Sequence, residues 1–297
     1  MNNLIGIEQL NKEEIIELLE LTKDIEDNPK KYLKKLEDKS LATLFFQDST
    51  RTRLSSSLAM QKLGGKVIEL DKAKFNEEMG EEESFEDIIK VVGDYVDIIC
   101  LRHSDEKSPN HAGSLTKAKI INCGNGRDQH PTQALLDLYT IWKEFKRLHN
   151  LNIVIVGDLK HSRSAHSLFI ALSFFEKNKI KLISPNIFKM PKRYFSLIRN
   201  EIDINKTEKF ELENEDIIYM AGFPIVEKYD NYFLYDLSID KVKNLKETSI
   251  IMCPLPRIGE IKKEVDALPQ ARYFQQSKNG IFVRMAIFIK LLEGLNE

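Results

Sequence analysis

Cysteine is scarce in this sequence. Its three residues, Cys100, Cys123 and Cys253, are widely separated and form no CxxC pair, which argues against a disulfide framework or a thiolate metal site and points to reduced thiols. A surplus of charge of one sign is also missing. Lys and Arg total 44 against 46 Asp and Glu, a formal net charge of −2, so there is no electrostatic footprint for nucleic acid and any bound anion must be held locally. No apolar run is long enough to span a bilayer. The opening stretch MNNLIGIEQLNKEEIIELLELTKDI breaks its apolar positions with charges, which suits an amphipathic helix and not a signal peptide. No GxGxxG follows any apolar run, which excludes a Rossmann dehydrogenase. Internal repeats and low-complexity segments are absent, and the acidic stretch 77–87 is the one compositional oddity. These absences predict a soluble, cytoplasmic protein with no nucleic-acid or membrane partner, no metal and no cofactor.

What is present is a strand–loop–helix rhythm. At 297 residues the chain exceeds the size at which one core usually stops growing, so two domains are expected. Ile15, Leu18, Leu19 and Ile25 recur at helical spacing. The apolar run 41–46 then reads as a buried strand ending in the polar cluster 47–52, followed by a helix over 54–63 closed by Gly64 and Gly65, and by a strand over 66–70. Further strands are predicted at 96–101 and 119–122, each running into a polar loop, LRHS and NCGNGRDQHPTQ. Pro131 suits a first helical turn, and Ala134, Leu135, Leu138, Ile141 and Trp142 give that helix an apolar face. The pattern restarts with strands at 152–156, 179–184, 216–220 and 249–252, a helix over 168–175 and a last helix over 280–295. The fold class predicted is α/β, with two doubly wound domains on parallel sheets joined by interdomain helices. The domain junction is placed on the helix after Pro131, giving domains 1–138 and 139–278, with 279–297 packing back on the first.

The strongest local signal is FFQDSTRTRLSSSLAMQKLGG. A buried strand, a turn of Ser49, Thr50, Arg51, Thr52 and Arg53, and a helix together make an anion site, because hydroxyls and unpaired amides face the ligand and guanidinium adds charge and bidentate geometry. Phosphate is the natural guest. The plainer alternative is an N-cap followed by surface arginines.

STRTR after an FF strand resembles the phosphate loop of the carbamoyltransferases. HPTQALLDLYTI from His130 is similar to that superfamily's carbamoyl-recognition helix, and CPLPRIGEI from Cys253 to its substrate-amine loop. GDLKHSRSAHSL from Gly157 and YFQQSKNGIFVRMAIF from Tyr273 resemble the aspartate branch of the aspartate/ornithine carbamoyltransferases. The resemblance implies a carbamoyl-phosphate domain followed by an amino-acid domain, with transfer from carbamoyl phosphate to aspartate in pyrimidine biosynthesis. It implies Ser49, Thr50, Arg51 and Thr52 on phosphate, Arg102, His130 and Thr52 on the carbamoyl oxygen, and Gln133 on the carbamoyl NH2. Arg51, Thr52, Arg102 and His130 are the expected catalytic set. Main-chain carbonyls of Pro254 and Leu255 would accept from amino groups, the Leu255–Pro256 bond resembles one the family holds cis, and Arg163 would grip a carboxylate of the acceptor. A homotrimer with sites at subunit boundaries is implied, with regulatory chains as further partners the resemblance admits.

Two departures from the aspartate branch stand out. Gly222 and Pro224 occupy positions where that branch carries an arginine and a glutamine for the acceptor's side-chain carboxylate and amino group. Glu77 and Glu81 align with a serine and a lysine that reach the neighbouring subunit's site, and a carboxylate meeting phosphate there is repulsive. Two other readings therefore stay open: carbamoyl transfer to a different amine, and a degenerate paralogue serving as a binding or regulatory partner.

Overall fold

A computed structural model describes residues 2–71, 83–223, 232–243 and 245–293. Helix α1 (Lys12–Asp27) starts at a capping box, in which the Glu14 N–H donates to the Asn11 side chain at 2.8 Å and the Asn11 N–H to the Glu14 carboxylate at 2.9 Å. Its Ile15, Leu18, Leu19 and Ile25 are buried, as their spacing predicts. Strand β1 (Ser40–Phe45), α2 (Thr50–Lys62), β2 (Lys66–Asp71), α3 (Phe85–Tyr95), β3 (Ile98–His103), α4 (Ser108–Leu115) and β4 (Lys119–Asn125) then build a four-stranded parallel sheet in the order β2-β1-β3-β4. The central strands β1 and β3 are buried over most of their length, as in a sheet covered on both faces, whereas the edge strand β2 (KVIELD) is largely exposed.

Helix α5 (Pro131–Phe145) leads to β5 (Asn152–Gly157), α6 (Arg163–Leu172), β6 (Lys179–Ile183), α7 (Lys192–Phe195), β7 (Asp203–Thr207), β8 (Ile217–Gly222), α8 (Ile239–Val242) and β9 (Ile250–Met252). These strands form a five-stranded parallel sheet, β7-β6-β5-β8-β9. Its core includes Val154, Val156, Ile218, Met220 and Ile251. Helix α9 (Tyr273–Glu293) closes the described chain. Two compact units result, Met1–Tyr139 with Asn279–Glu297, and Thr140–Lys278, so each boundary falls inside a helix, α5 or α9.

Both sheets reverse direction once. In the first the order turns between β1 and β3, and in the second between β5 and β8. Such a switch point opens a crevice at the strand C-termini, where α/β sheets take ligands. The polar segments 47–53 and 102–104 lie at the first switch, and 158–163 and the end of β8 at the second.

Several elements differ from expectation. Strand β7, DINKT, was not predicted, since it is an edge strand with mostly exposed side chains and no apolar run. Helices α3 and α4 were missed too, although Ser84 caps α3 by accepting from the Asp87 N–H. Helix α6 begins at Arg163, five residues before the predicted start, because the Ser162 hydroxyl accepts from the Ala165 N–H. Strand β4 continues through Asn125, part of the expected loop, since the Asn122 amide donates to Ile5 O and Asn125 Oδ1 and so pairs inside the fold.

Candidate active site

Ser49 is the N-cap of α2 in extended backbone, yet its hydroxyl makes no capping bond to the helix. The cap position therefore presents an oxygen and the first-turn amides at one end of a positive helix terminus. Thr50 and Arg51 are exposed on that first turn, while Thr52 is buried. From the end of β3, Arg102 donates through Nη1 to the Cys123 carbonyl at 3.1 Å, and its Nε has no hydrogen-bond partner among the described residues. Burial lowers the Arg102 pKa from the ordinary guanidinium value, the nearby charge of Arg51 acts in the same sense, and Asp48 opposes it. Arg102 still holds its proton, as arginines in proteins do. A dianion arriving here would relieve both the desolvation and the Arg51–Arg102 repulsion.

His130 precedes the first residue of α5 and is buried. Its Nε2 lies 3.5 Å from Thr52 Oγ1, and its Nδ1 lies 3.2 Å from Thr132 Oγ1. The far end of this run is charged. Arg284 of α9, almost fully buried, donates through Nη2 to Thr132 Oγ1 at 3.4 Å and through Nη1 to the Gly280 carbonyl at 2.9 Å. Guanidinium can only donate, so Thr132 Oγ1 accepts from Arg284, and the hydroxyl keeps its own proton and a second lone pair for His130 Nδ1. In the tautomer protonated at Nε2, His130 donates toward Thr52. Gln133, one turn into α5, gives its NH2 to Asp137 Oδ1 at 2.9 Å, which orients its carboxamide oxygen as an acceptor for an incoming N–H.

In the second unit, the turn between β5 and α6 is fastened by Asp158, whose Oδ1 accepts from the Lys160 and His161 amides at 3.1 Å and whose Oδ2 meets His161 Nδ1 at 2.8 Å. Arg163 follows as the first residue of α6, partly buried, with its N–H on the His161 carbonyl. The same turn is tied to the end of β8, because the Asp158 N–H donates to the Gly222 carbonyl at 2.8 Å. Gly222 has φ +81, a conformation that favours glycine. Pro224, and likewise Glu77 and Glu81, lie outside the described residues. After β9, the Cys253 N–H donates to Gln276 Oε1 at 2.9 Å, Leu255 sits at φ 54, and the Leu255–Pro256 bond is cis. Pro254 and Leu255 are partly buried there. Arg257, a basic residue of the same loop, is bound by Asp266 and Tyr273.

In the first unit, the predicted residues Thr52 and His130 are in direct contact and Arg51 is an electrostatic neighbour of Arg102. Sequence reasoning missed Thr132, Asp137 and Arg284. The signal for Arg284 was available, as a lone charge within the apolar IFVRMAIFI of a helix. Thr132 and Asp137 sit one helical step from named residues.

Two parallel α/β units, the first with Ser49, Thr50, Arg51 and Thr52 at the N-terminus of α2 and His130 beside Thr52, have the layout of a group-transfer enzyme. The carbamoyl-P binding domain of the aspartate/ornithine carbamoyltransferases matches residues 2–143, and their Asp/Orn binding domain matches 149–291. The chain belongs to the aspartate/ornithine carbamoyltransferase family. It is 42% identical over 305 residues to the aspartate carbamoyltransferase catalytic subunit of Methanocaldococcus jannaschii, covering 99% of this chain and 98% of that one. The Methanococcus maripaludis C5 catalytic subunit is also 42% identical, with 99% of each chain covered. Among solved structures, the M. jannaschii catalytic subunit superposes with a TM-score of 0.90 at 41% identity over 100% of both chains. Aspartate transcarbamoylase from Trypanosoma cruzi, in complex with carbamoyl phosphate and aspartate, gives 0.92 at 30% identity over 98% of this chain and 95% of that one.

Proposed function

We propose that this protein is an aspartate carbamoyltransferase, moving the carbamoyl group of carbamoyl phosphate to the amino group of L-aspartate and yielding N-carbamoyl-L-aspartate and phosphate, as in pyrimidine biosynthesis. Relatives named for this activity, similar over their full length, support the reading. The observation that carries the chemistry is the hydrogen-bonded run Arg284–Thr132–His130–Thr52, in which His130 Nε2 lies 3.5 Å from Thr52 Oγ1 in the first turn of α2.

The amine lone pair attacks the carbamoyl carbon, the bond from that carbon to the phosphate oxygen breaks, and the amine proton leaves with the phosphate. Ser49, Thr50, Arg51 and Thr52 hold the phosphate, and the helix terminus favours its charge. His130 Nε2, Arg102 and Thr52 Oγ1 donate to the carbonyl oxygen, which gains charge as the tetrahedral intermediate forms. Gln133 Oε1 accepts from the carbamoyl NH2. The carbonyls of Pro254 and Leu255 accept from amino groups, and Arg163 holds a carboxylate of the acceptor.

Purified protein supplied with carbamoyl phosphate and aspartate is expected to release phosphate and form N-carbamoylaspartate in equal amounts. Carbamoyl phosphate alone is expected to raise the melting temperature, because a ligand that binds only the native state stabilises it. No product at saturating levels of both substrates would sink the assignment.

The assembly proposed is a cytoplasmic homotrimer. Leu54 and Leu58, on the exposed face of α2, are 56% and 39% exposed, an apolar pair that a neighbouring subunit would cover. Light scattering is expected to give three times the chain mass at micromolar concentration, and a monomer would refute the trimer. Among the described residues no helix is long and apolar enough to cross a membrane.

A further inference from the structure

Asp137 is 0% exposed and lies four residues after Gln133, on the same face of α5. A carboxylate seldom sits wholly inside a fold unless donors meet its oxygens. One donor here is Gln133, whose Nε2 gives a hydrogen to Asp137 Oδ1 at 2.9 Å. Among the described residues this is the one side-chain hydrogen bond that Gln133 makes. Ionised carboxylate oxygens accept and never donate, whereas the two ends of a carboxamide differ. Gln133 can therefore meet Asp137 by its NH2 alone, since the reversed amide would set oxygen against oxygen with no proton between them. The charge on Asp137 has support from α9. Arg284 is buried in the same unit; burial lowers its pKa, and Asp137 is among the groups whose negative charge opposes that shift. An opposite charge nearby favours the ionised acid. The far end of the Gln133 amide, Oε1, is thereby fixed as an acceptor.

We infer that Asp137 is a specificity-determining positioning residue, which holds Gln133 so that the donor site selects an acyl phosphate bearing NH2 over one of the same shape bearing a methyl group. The inference rests on the carbamoyl-phosphate site proposed above. Acetyl phosphate is the decisive comparison, because it keeps the phosphate and the carbonyl and replaces NH2 by CH3. With either donor the amine nitrogen bonds to the acyl carbon, the bond from that carbon to the phosphate oxygen breaks, and the amine proton leaves with the phosphate. The contacts of Arg51, Arg102 and His130 therefore serve both. Only the NH2 can use Gln133 Oε1. A methyl group leaves that oxygen without a donor, which is how a polar site rejects an isostere that lacks the matching hydrogen.

Asp137→Asn tests the assignment. The shape is kept, but asparagine can present either end of its amide, so the reversed Gln133 becomes available and the charge that strengthens its N–H bond is gone. Wild type is expected to bind phosphonoacetamide, an unreactive analogue bearing NH2, about tenfold more tightly than its methyl counterpart acetonylphosphonate, and the variant only about twofold more tightly. In turnover with aspartate, kcat/KM for carbamoyl phosphate is expected to fall about fivefold in the variant, while that for acetyl phosphate stays at the wild-type value. A role confined to packing would lower both donors alike. That result, or an unchanged preference in the variant, would overturn the inference. Equal binding of the two analogues by wild type would overturn it without any variant. Should Asp137→Asn not fold, Asp137→Ser, a smaller side chain that also both donates and accepts, is expected to show the same loss of preference. If neither donor carbamoylates or acetylates aspartate, the proposed activity fails, and the ratio of analogue affinities still decides the role of Asp137.

Discussion

Arg51→Ala is expected to abolish the heat protection given by carbamoyl phosphate and to lower kcat/KM for carbamoyl transfer by about 10²–10³, the range for removing one charged or hydrogen-bonding partner of a reacting group. Arg51 is exposed on the first turn of α2, so its loss removes no buried packing and the ligand-free melting temperature should stay at the wild-type value. That pairing separates a ligand contact from a structural one. A variant with unchanged affinity for carbamoyl phosphate would show that the α2 terminus is not the phosphate site. A smaller effect is expected for Arg51→Lys, because an ammonium keeps the charge and loses the bidentate geometry.

Gly157→Ala is expected to be among the most damaging single changes in the second unit. Gly157 lies at φ +136, and a Cβ there would stand 2.5 Å from the Gly222 carbonyl oxygen and 3.1 Å from its amide nitrogen. Both partners are backbone held in parallel strands, β5 and β8, whose register pairs these two glycines, so neither can swing aside. Overpacking and forbidden backbone together predict a loss of about 2 to 5 kcal/mol. For a unit of this size that corresponds to a fall in melting temperature on the order of 10 °C. The same displacement would push the Asp158 turn away from β8 and misplace Arg163, so any folded fraction should show a raised aspartate KM. An unaltered melting temperature would mean that the two strand ends do not approach as described.

Much of this was legible in the sequence, for identifiable reasons. Strands such as IIC in β3 and IVIV in β5 are buried on both faces, and that forces unbroken apolar runs which can be seen without coordinates. Strand β7 has no such run because its edge position asks for none. The turn at Ser49 announced itself through hydroxyls and arginines packed directly after an apolar run. The surroundings of His130 could not be read that way. They include Arg284, which is 154 positions away in the chain and is brought to Thr132 by the return of α9. The missing side chain at Gly222 was legible as a departure, whereas its cause, a backbone at φ +81 tied to Asp158, was not.

The return of α9 also bears on how the molecule is made. The first unit joins residues 1–139 to 279–297, and a ribosome delivers the second piece only after the whole of the second unit has been translated. A nascent chain can lay down β1 to β4 early, but Arg284 is not there to bond the Thr132 hydroxyl until the second unit has been translated. Chains that stop short of Arg284 would carry the α2 turn without the Arg284 bond to Thr132, the neighbour of His130. The wiring of the fold thus ties a side-chain run of the first unit to a segment translated after the second.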